Sequence, residues 1–349
     1  MAARCYARQI VYLLQLNKMM LLIRSKKRPA PSFLGMNNRS SGWYCLLSQD
    51  AGGLNHAAVS DQEIFQHQRT MRPSIQKEMS TMTRKIILAV APTGGWGRGD
   101  NNPTTPEAIA GDVMACAQAG AAVVHMHARN EKGDLTTDLT SFSKTVATIK
   151  ASCDIMLEAS TGGLSTLTAA ERVLPASNPH AELGSLNIGS LNFGDAVYQN
   201  SLPDVRLWVD AMARSGVKPS LEVFDTGHLE TARHLIAEGL VAPPCNFSFI
   251  FDVRWGMPYD PTLLAYLISR LPAKSRWGAI FIQSPDFSHH VEAARAGASM
   301  LRVGFEDALL YDGQTATSNA ELVTVLRDEL ETAGFSIATV PDARAMLLG

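Results

Sequence analysis

Ala121-Ala-Val-Val-His-Met-His-Ala-Arg129 follows Gly120, which ends a helical pattern, so the run reads as a strand entered directly from a helix. Ala121 to Val124 is apolar without interruption, as expected of a buried strand. Side chains alternate along a strand, which puts His125 and His127 on one face and Met126 on the other. Two imidazoles stacked in this way suit adjacent positions of a metal shell, and equally suit hydrogen-bonded core histidines. This segment alone leaves both readings open.

The same alternation continues on either side. Upstream, Ile86 to Ala91 is a strand and Thr93-Gly-Gly-Trp-Gly-Arg-Gly99 a Gly-rich loop. Thr105-Pro-Glu107 then opens a helix, with Thr as cap and Pro in the first turn, and Ala110, Val113, Met114 and Ala117 follow at helical spacing. Downstream, the pattern predicts helix 139–150, strand 154–159, helix 167–174, strand 183–187 and helix 205–215. It continues with strand 219–224, helix 228–238, strand 246–251, helix 260–271, strand 277–282, helix 287–296, strand 298–303 and helix 318–333. Eight strands, each followed by a helix, in roughly 250 residues predict an α/β fold of the (β/α)8 TIM-barrel kind rather than an open doubly wound sheet. Gly95-x-Gly97-x-Gly99 lacks the spacing of a dinucleotide-binding turn.

Residues 1–84 are a different kind of sequence. They carry a net charge of +8 against −10 for the remainder, and they show no sustained periodicity. Arg4, Arg8, Lys18 and Arg24 on an acid-free apolar stretch resemble a transit peptide. The runs Ile10–Leu16 and Met19–Ile23 are too short and too interrupted to span a membrane. Met79 and Met82 stand just before the first convincing strand, so 1–84 reads as a disordered leader or upstream over-extension, and 85–349 as the catalytic barrel. A total charge of −2 argues against nucleic acid as the main partner. Five cysteines without a C-x-x-C pair fit neither a disulfide framework nor a zinc finger, and point to a reducing, cytoplasmic setting.

Barrel enzymes place their chemistry at the C-terminal ends of the strands, so polar residues are expected to gather there. They do: Thr93-Gly94-Gly95, His125 to Arg129, Glu158-Ala-Ser160-Thr161-Gly162-Gly163, Ser185-Leu-Asn187, Glu222 with Asp225, and Arg302-Val-Gly304-Phe-Glu306-Asp307. Two histidines need a carboxylate to complete a catalytic zinc site. Glu306 is the choice, because strand 8 closes the barrel beside strand 1, with Glu158 and Glu222 as rivals. Ser160 to Gly163 offers hydroxyls and unhindered amides for a carboxylate or phosphate, or is an ordinary tight turn. Asn187 and Asn192 suit orienting a substrate oxygen or capping a helix. His289-His290 reads as a surface pair at a helix start, and no G-x-S-x-G elbow is present for a serine hydrolase.

Taken together and in order, Ala91-Pro-Thr-Gly94, His125 to Arg129, Ser160 to Gly163, Ser185-Leu-Asn187 with Leu191-Asn-Phe-Gly194, and Arg302 to Asp307 resemble the β-keto acid cleavage enzymes. The resemblance spans about Ile86 to Leu348. It implies a zinc-dependent barrel in which His125, His127 and Glu306 hold the metal. Arg302 and Asp307 match the catalytic pair, and Ser160 and Ser185 match substrate-binding hydroxyls. It implies acetyl-CoA as co-substrate, acetoacetate and a new acyl-CoA as products, and a homotetramer or other homo-oligomer. Thr161, Gly162, Gly163, Asn187, Glu222 and Trp96 complete the expected substrate-binding set. Trp96 stands where the family's founder, which cleaves 3-keto-5-aminohexanoate, has a glutamate for its amino group; an apolar tail suits Trp96, and a second carboxylate suits Arg98. A zinc-dependent barrel aldolase or hydrolase without CoA is the alternative, and a metal-free scaffold a third reading.

Overall fold

The computed structural model describes residues 84–93, 101–162 and 167–349, together with the backbone of an antiparallel hairpin, Phe33–Arg39 with Gly42–Leu47. The chain divides into two units, Met1–Met82 and Thr83–Gly349. In the second unit eight parallel strands form one sheet: β1 (Lys85–Val90), β2 (Val123–Met126), β3 (Met156–Ala159), β4 (Ala181–Asn187), β5 (Lys218–Val223), β6 (Cys245–Phe251), β7 (Ser275–Phe281) and β8 (Met300–Val303). Each strand pairs with its sequence neighbour, and β8 pairs with β1 through Arg302 opposite Ala89, which closes the barrel.

Eight helices connect or follow the strands: α1 (Pro106–Ala119), α2 (Thr140–Ser152), α3 (Ala169–Arg172), α4 (Leu202–Ser215), α5 (Thr226–Ala237), α6 (Pro261–Arg270), α7 (Ser288–Ala296) and α8 (Asn319–Thr332). Their ends follow the sequence signals. Thr105 caps α1 by accepting from the Ala108 amide, Pro106 opens it, and Gly120 closes it at φ 117°.

Strand alternation divides the core. Ile86, Leu88 and Val90 point outward and join α1 residues Ile109 and Val113. Ile87, Ala89, Val123, Met156, Leu183 and Met300 form a second cluster with Ala343 and Leu347. Those last two belong to α9 (Val340–Leu347), which the helical periodicity of the sequence did not mark. Thr339 and Asp342 cap it reciprocally, and Asn246, inside β6, donates to the Leu347 carbonyl. A short strand, Ser336–Ile337, pairs in parallel with Lys85 and Ile86 and leads into this helix. One end of the barrel is thus filled by apolar side chains and a helix.

The upper interior is polar, and it is polar deeper than strand ends alone would give. His125, Glu158, Ser185, Ser220, Glu222, Ser248 and Arg302 are all buried within strands. Burying so many polar groups is costly unless they satisfy one another or a ligand, which marks this end as the working one.

Away from the barrel interior, Asp112 of α1 accepts from Asn319 Nδ2 at 2.9 Å, and burial pushes its carboxyl up to about 6. A folded-state pKa above the unfolded one means the folded chain holds the extra proton. This group's contribution is therefore full below about pH 4 and is lost as pH rises through about 6. Asp112→Asn is expected to flatten the melting temperature over that window and to gain on the order of 2 kcal/mol relative to the parent at pH 8. Parallel thermal melts of the two proteins at pH 4 and pH 8 check this; equal melting temperatures at both would contradict it.

Candidate metal centre and active site

The centre begins at the end of β2, where alternation sends His125 inward and the chain carries His127 just past the strand on the same side. Their rings lie 5.4 Å apart, edge to face. Glu306 reaches them from the loop after β8, with Oε1 3.8 Å from His125 Nε2 and Oε2 3.5 Å from His127 Nε2. Those separations are too long for hydrogen bonds but match the edges of a tetrahedron of donors, ~3.4 Å when each lies ~2.1 Å from an ion. The three donor atoms all lie within 4.8 Å of one another, and Glu306 Oε2 is buried with no hydrogen-bond partner among the described residues. The donor set therefore fits a divalent metal.

Behind His125, Glu158 Oε2 meets Nδ1 at 2.8 Å, because His125 and Glu158 sit opposite one another in the β2–β3 register. A carboxylate on one ring nitrogen fixes the tautomer that turns the other toward a metal. Burial works against charge on His125, yet Glu306 and Glu158 hold its pKa above the ordinary value. Burial lowers that of His127. Glu306 resists burial and lies well below the usual carboxylate range because His125, Arg302 and His127 surround it.

Arg302, inside β8, is the hub of the acidic side. Its Nε and Nη2 donate to the two oxygens of Asp307 at 3.0 and 2.6 Å, and Nη2 also reaches Glu306 Oε1 at 3.4 Å. Nη1 lies 3.9 Å from Glu222 and has no hydrogen-bond partner among the described residues. Burial pushes Glu222 up to about 7. Burial also raises Asp307, although the bidentate guanidinium pulls the other way. Glu306 and Asp307 diverge as adjacent residues do, one toward the histidines and one toward the arginine.

This loop is pinned to β1. Gly304 has φ 143°, and a Cβ there would overlap the Ala91 carbonyl. The Glu306 amide donates to that same carbonyl at 3.2 Å. Asn319 accepts from the Phe305 amide and donates to the Pro92 carbonyl. Gly304→Ala is expected to cost more than ~3 kcal/mol of stability, through left-handed strain plus the overlap, and to displace Glu306 and Asp307. Urea denaturation measures this; a variant with parental stability and activity would show that the loop does not depend on the close approach.

Opposite the loop, Ser160 Oγ accepts from the Gly162 amide at 3.0 Å. The Thr161 hydroxyl donates to the Ser185 carbonyl, its amide to Ser185 Oγ, and Asn187 donates to Thr161 Oγ1. Thr161, Ser185 and Asn187 thus brace one another, while Ser160 and Gly162 face the histidines. A Cβ on Gly162 would lie 3.1 Å from Ser160 Oγ, 3.1 Å from the Tyr198 hydroxyl and 3.2 Å from His127 Cε1. Gly163, Trp96 and Arg98 lie outside the described residues.

Several residues went unread in the sequence. Tyr198 stands on a hairpin, Leu191–Phe193 with Ala196–Tyr198, inserted between β4 and α4; Asn192 lies exposed on it. Arg172 stacks on Tyr198 and Trp208 and donates to Thr161 O, Gln199 O and Asn200 Oδ1. His290, expected at the surface, is buried with Nε2 on the Arg302 carbonyl at 3.2 Å, outside the candidate metal-binding trio. Its burial comes from the packing of α7 on β7, against Phe281 and Phe287.

Residues 85–348 match the sequence model of a family described as beta-keto acid cleavage enzyme. A "3,5-dioxohexanoate:acetyl-CoA acetone transferase" of Paraburkholderia graminis is 31% identical over 76% of this chain and 96% of its own. A "3-keto-5-aminohexanoate cleavage enzyme" of Fusobacterium nucleatum is 32% identical over 76% of this chain and 98% of its own. Among solved structures, the ternary complex of ObcA with a C4-CoA adduct and oxalate superposes with a TM-score of 0.61 at 22% identity, over 72% of this chain and 68% of that one. That likeness supports the barrel fold.

Proposed function

This chain belongs to the beta-keto acid cleavage enzyme family, and from that premise we propose that it condenses a β-keto acid with acetyl-CoA, giving acetoacetate and a new acyl-CoA, at a zinc centre held by His125, His127 and Glu306. The carrying observation is the convergence of those three donors beside the bidentate Arg302–Asp307 pair. A zinc ion there supplies Lewis acidity toward the keto oxygen, which makes the adjacent C–H more acidic.

The protein's own groups do the rest. Asp307, raised by burial and aimed by Arg302, accepts the proton from the carbon between keto group and carboxylate. Ser160, whose oxygen accepts from Gly162, retains its hydroxyl proton to donate to the substrate. The substrate carbanion attacks the acetyl carbonyl and CoA thiolate departs. That thiolate attacks the original keto carbonyl, the carbon–carbon bond breaks, and Asp307 returns its proton to acetoacetate. Atoms and charge balance with no further reagent. Glu222, whose pKa burial raises to about 7, lies 3.9 Å from Arg302 Nη1 and close to His125 and Glu158.

Self-association as a homotetramer or other homo-oligomer is part of the proposal, supported by exposed Trp255 and Val197 on segments joined by the Arg254–Asp195 pair. The unpaired thiols Cys116, Cys153 and Cys245 support a cytoplasmic setting, and among the described residues no helix is long and apolar enough to cross a membrane. A panel of β-keto acids offered with acetyl-CoA, read for acetoacetate together with acyl-CoA, tests the function. The expected result is paired formation of both products for at least one keto acid. Cleavage that proceeds without a thioester would contradict the reading in favour of an aldolase or hydrolase.

A further inference from the structure

We propose that Arg129 binds a carboxylate of the substrate side-on, through the Nε and Nη2 edge of its guanidinium. The proposal rests on the reading of the chain as an enzyme of β-keto acids. Arg129 lies three residues past the end of β2, close enough to the candidate metal ligands for its charge to act on His127 and for that of Glu306 to act on it. It is 6% exposed. Nη1 donates to the Gly133 carbonyl at 2.5 Å, within a turn that the Arg129–Leu135 bridge closes, and this holds the plane of the guanidinium. Nε and Nη2 are buried and have no hydrogen-bond partner among the described residues.

Those two donors are parallel and spaced to meet both oxygens of a carboxylate. An arginine cannot shed its charge, so a buried guanidinium with an open fork is stable only when an anion completes it. Glu306 and Asp134 are the carboxylates whose charges act on it, and neither makes a hydrogen bond to it. The groups that the sequence offered for a carboxylate are largely engaged elsewhere: the Gly162 amide on Ser160 Oγ, the Thr161 amide and hydroxyl on Ser185. Among the described residues the fork is an open anion receptor, near enough to the candidate metal centre for the Glu306 charge to act on it. A β-keto acid brings one carboxylate next to its keto group, and a dicarboxylic one brings a second at its far end.

The test is calorimetric binding of acetoacetate and of a dicarboxylic β-keto acid to the parent, Arg129→Lys and Arg129→Gln, with melting temperature and metal content of each. Affinity is expected to fall on the order of 10- to 100-fold in Arg129→Gln, with Arg129→Lys also weakened because an ammonium offers no fork. Metal content should stay at the parental level, and the KM for acetyl-CoA should stay unchanged. Loss with both acids assigns the fork to the carboxylate beside the keto group; loss with the dicarboxylic acid alone assigns it to the far one. Unchanged affinity for both acids overturns the proposal, and so does a drop in ligand-free melting temperature with ligand affinity preserved, since that marks a pair within the chain. A parent that binds acetoacetate through Arg129 but turns over no keto acid would leave the fork standing and remove the proposed reaction instead.

Discussion

His127→Ala is expected to purify without its metal and to show no measurable turnover. The proposed centre has three protein donors, and His125 and Glu306 alone would offer two, with His125 already tied through Nδ1 to Glu158. Loss of an outer partner such as Glu158 typically costs ~10- to 100-fold in metal affinity, so removal of a direct ligand is expected to cost more. Lewis-acid stabilisation worth several kcal/mol corresponds to a rate loss of roughly 10³- to 10⁴-fold, before any residual metal is counted. The fold should survive, because burial already favours the uncharged His127 ring and the barrel core below does not include it. Metal analysis with circular dichroism reads both points. A folded variant with full zinc and parental turnover would remove the proposed centre.

Asp307→Asn is expected to keep its metal and lose roughly 10²- to 10⁴-fold in rate. Asparagine retains one oxygen for Arg302 but cannot take a proton, and its side chain points at the arginine rather than the histidines. Exchange of the substrate's C–H in deuterated water, with acetyl-CoA omitted, isolates the step. The parent should exchange that position and the variant should not. A variant that arrives without metal would mean that Asp307 is a ligand and that Glu306 has another task.

The barrel was legible because each of its eight strands pairs with its neighbour in sequence, so a local rhythm of strand and helix carries the whole topology. His125 and His127 were legible for a similarly local reason, the two-residue period of a strand. Glu306 required only the further inference that β8 closes on β1. The roles of Arg302 and Asp307 came from family resemblance, since an arginine and an aspartate five positions apart announce nothing by spacing. Contacts that depend on register or on distant packing were beyond reach. The His125–Glu158 contact follows from a cross-strand pairing, and Asn319 meets Pro92 across 227 positions. Arg172 and Tyr198 are ordinary surface residue types whose placement comes from a short helix and an inserted hairpin. The closing helix α9 has only two turns and two buried side chains, too little pattern to read before the barrel end it fills is known.

In the proposed reaction the carbanion of a β-keto acid attacks acetyl-CoA, and CoA then moves to the other fragment. Acetyl-CoA carrying ¹³C in both acetyl carbons, incubated with an accepted β-keto acid, follows the two fragments through this exchange. The label is expected in the methyl and keto carbons of acetoacetate, with the new acyl-CoA unlabelled and the two products formed in equal amounts. Label recovered as free acetate, or unlabelled cleavage products formed while acetyl-CoA remains intact, would contradict it.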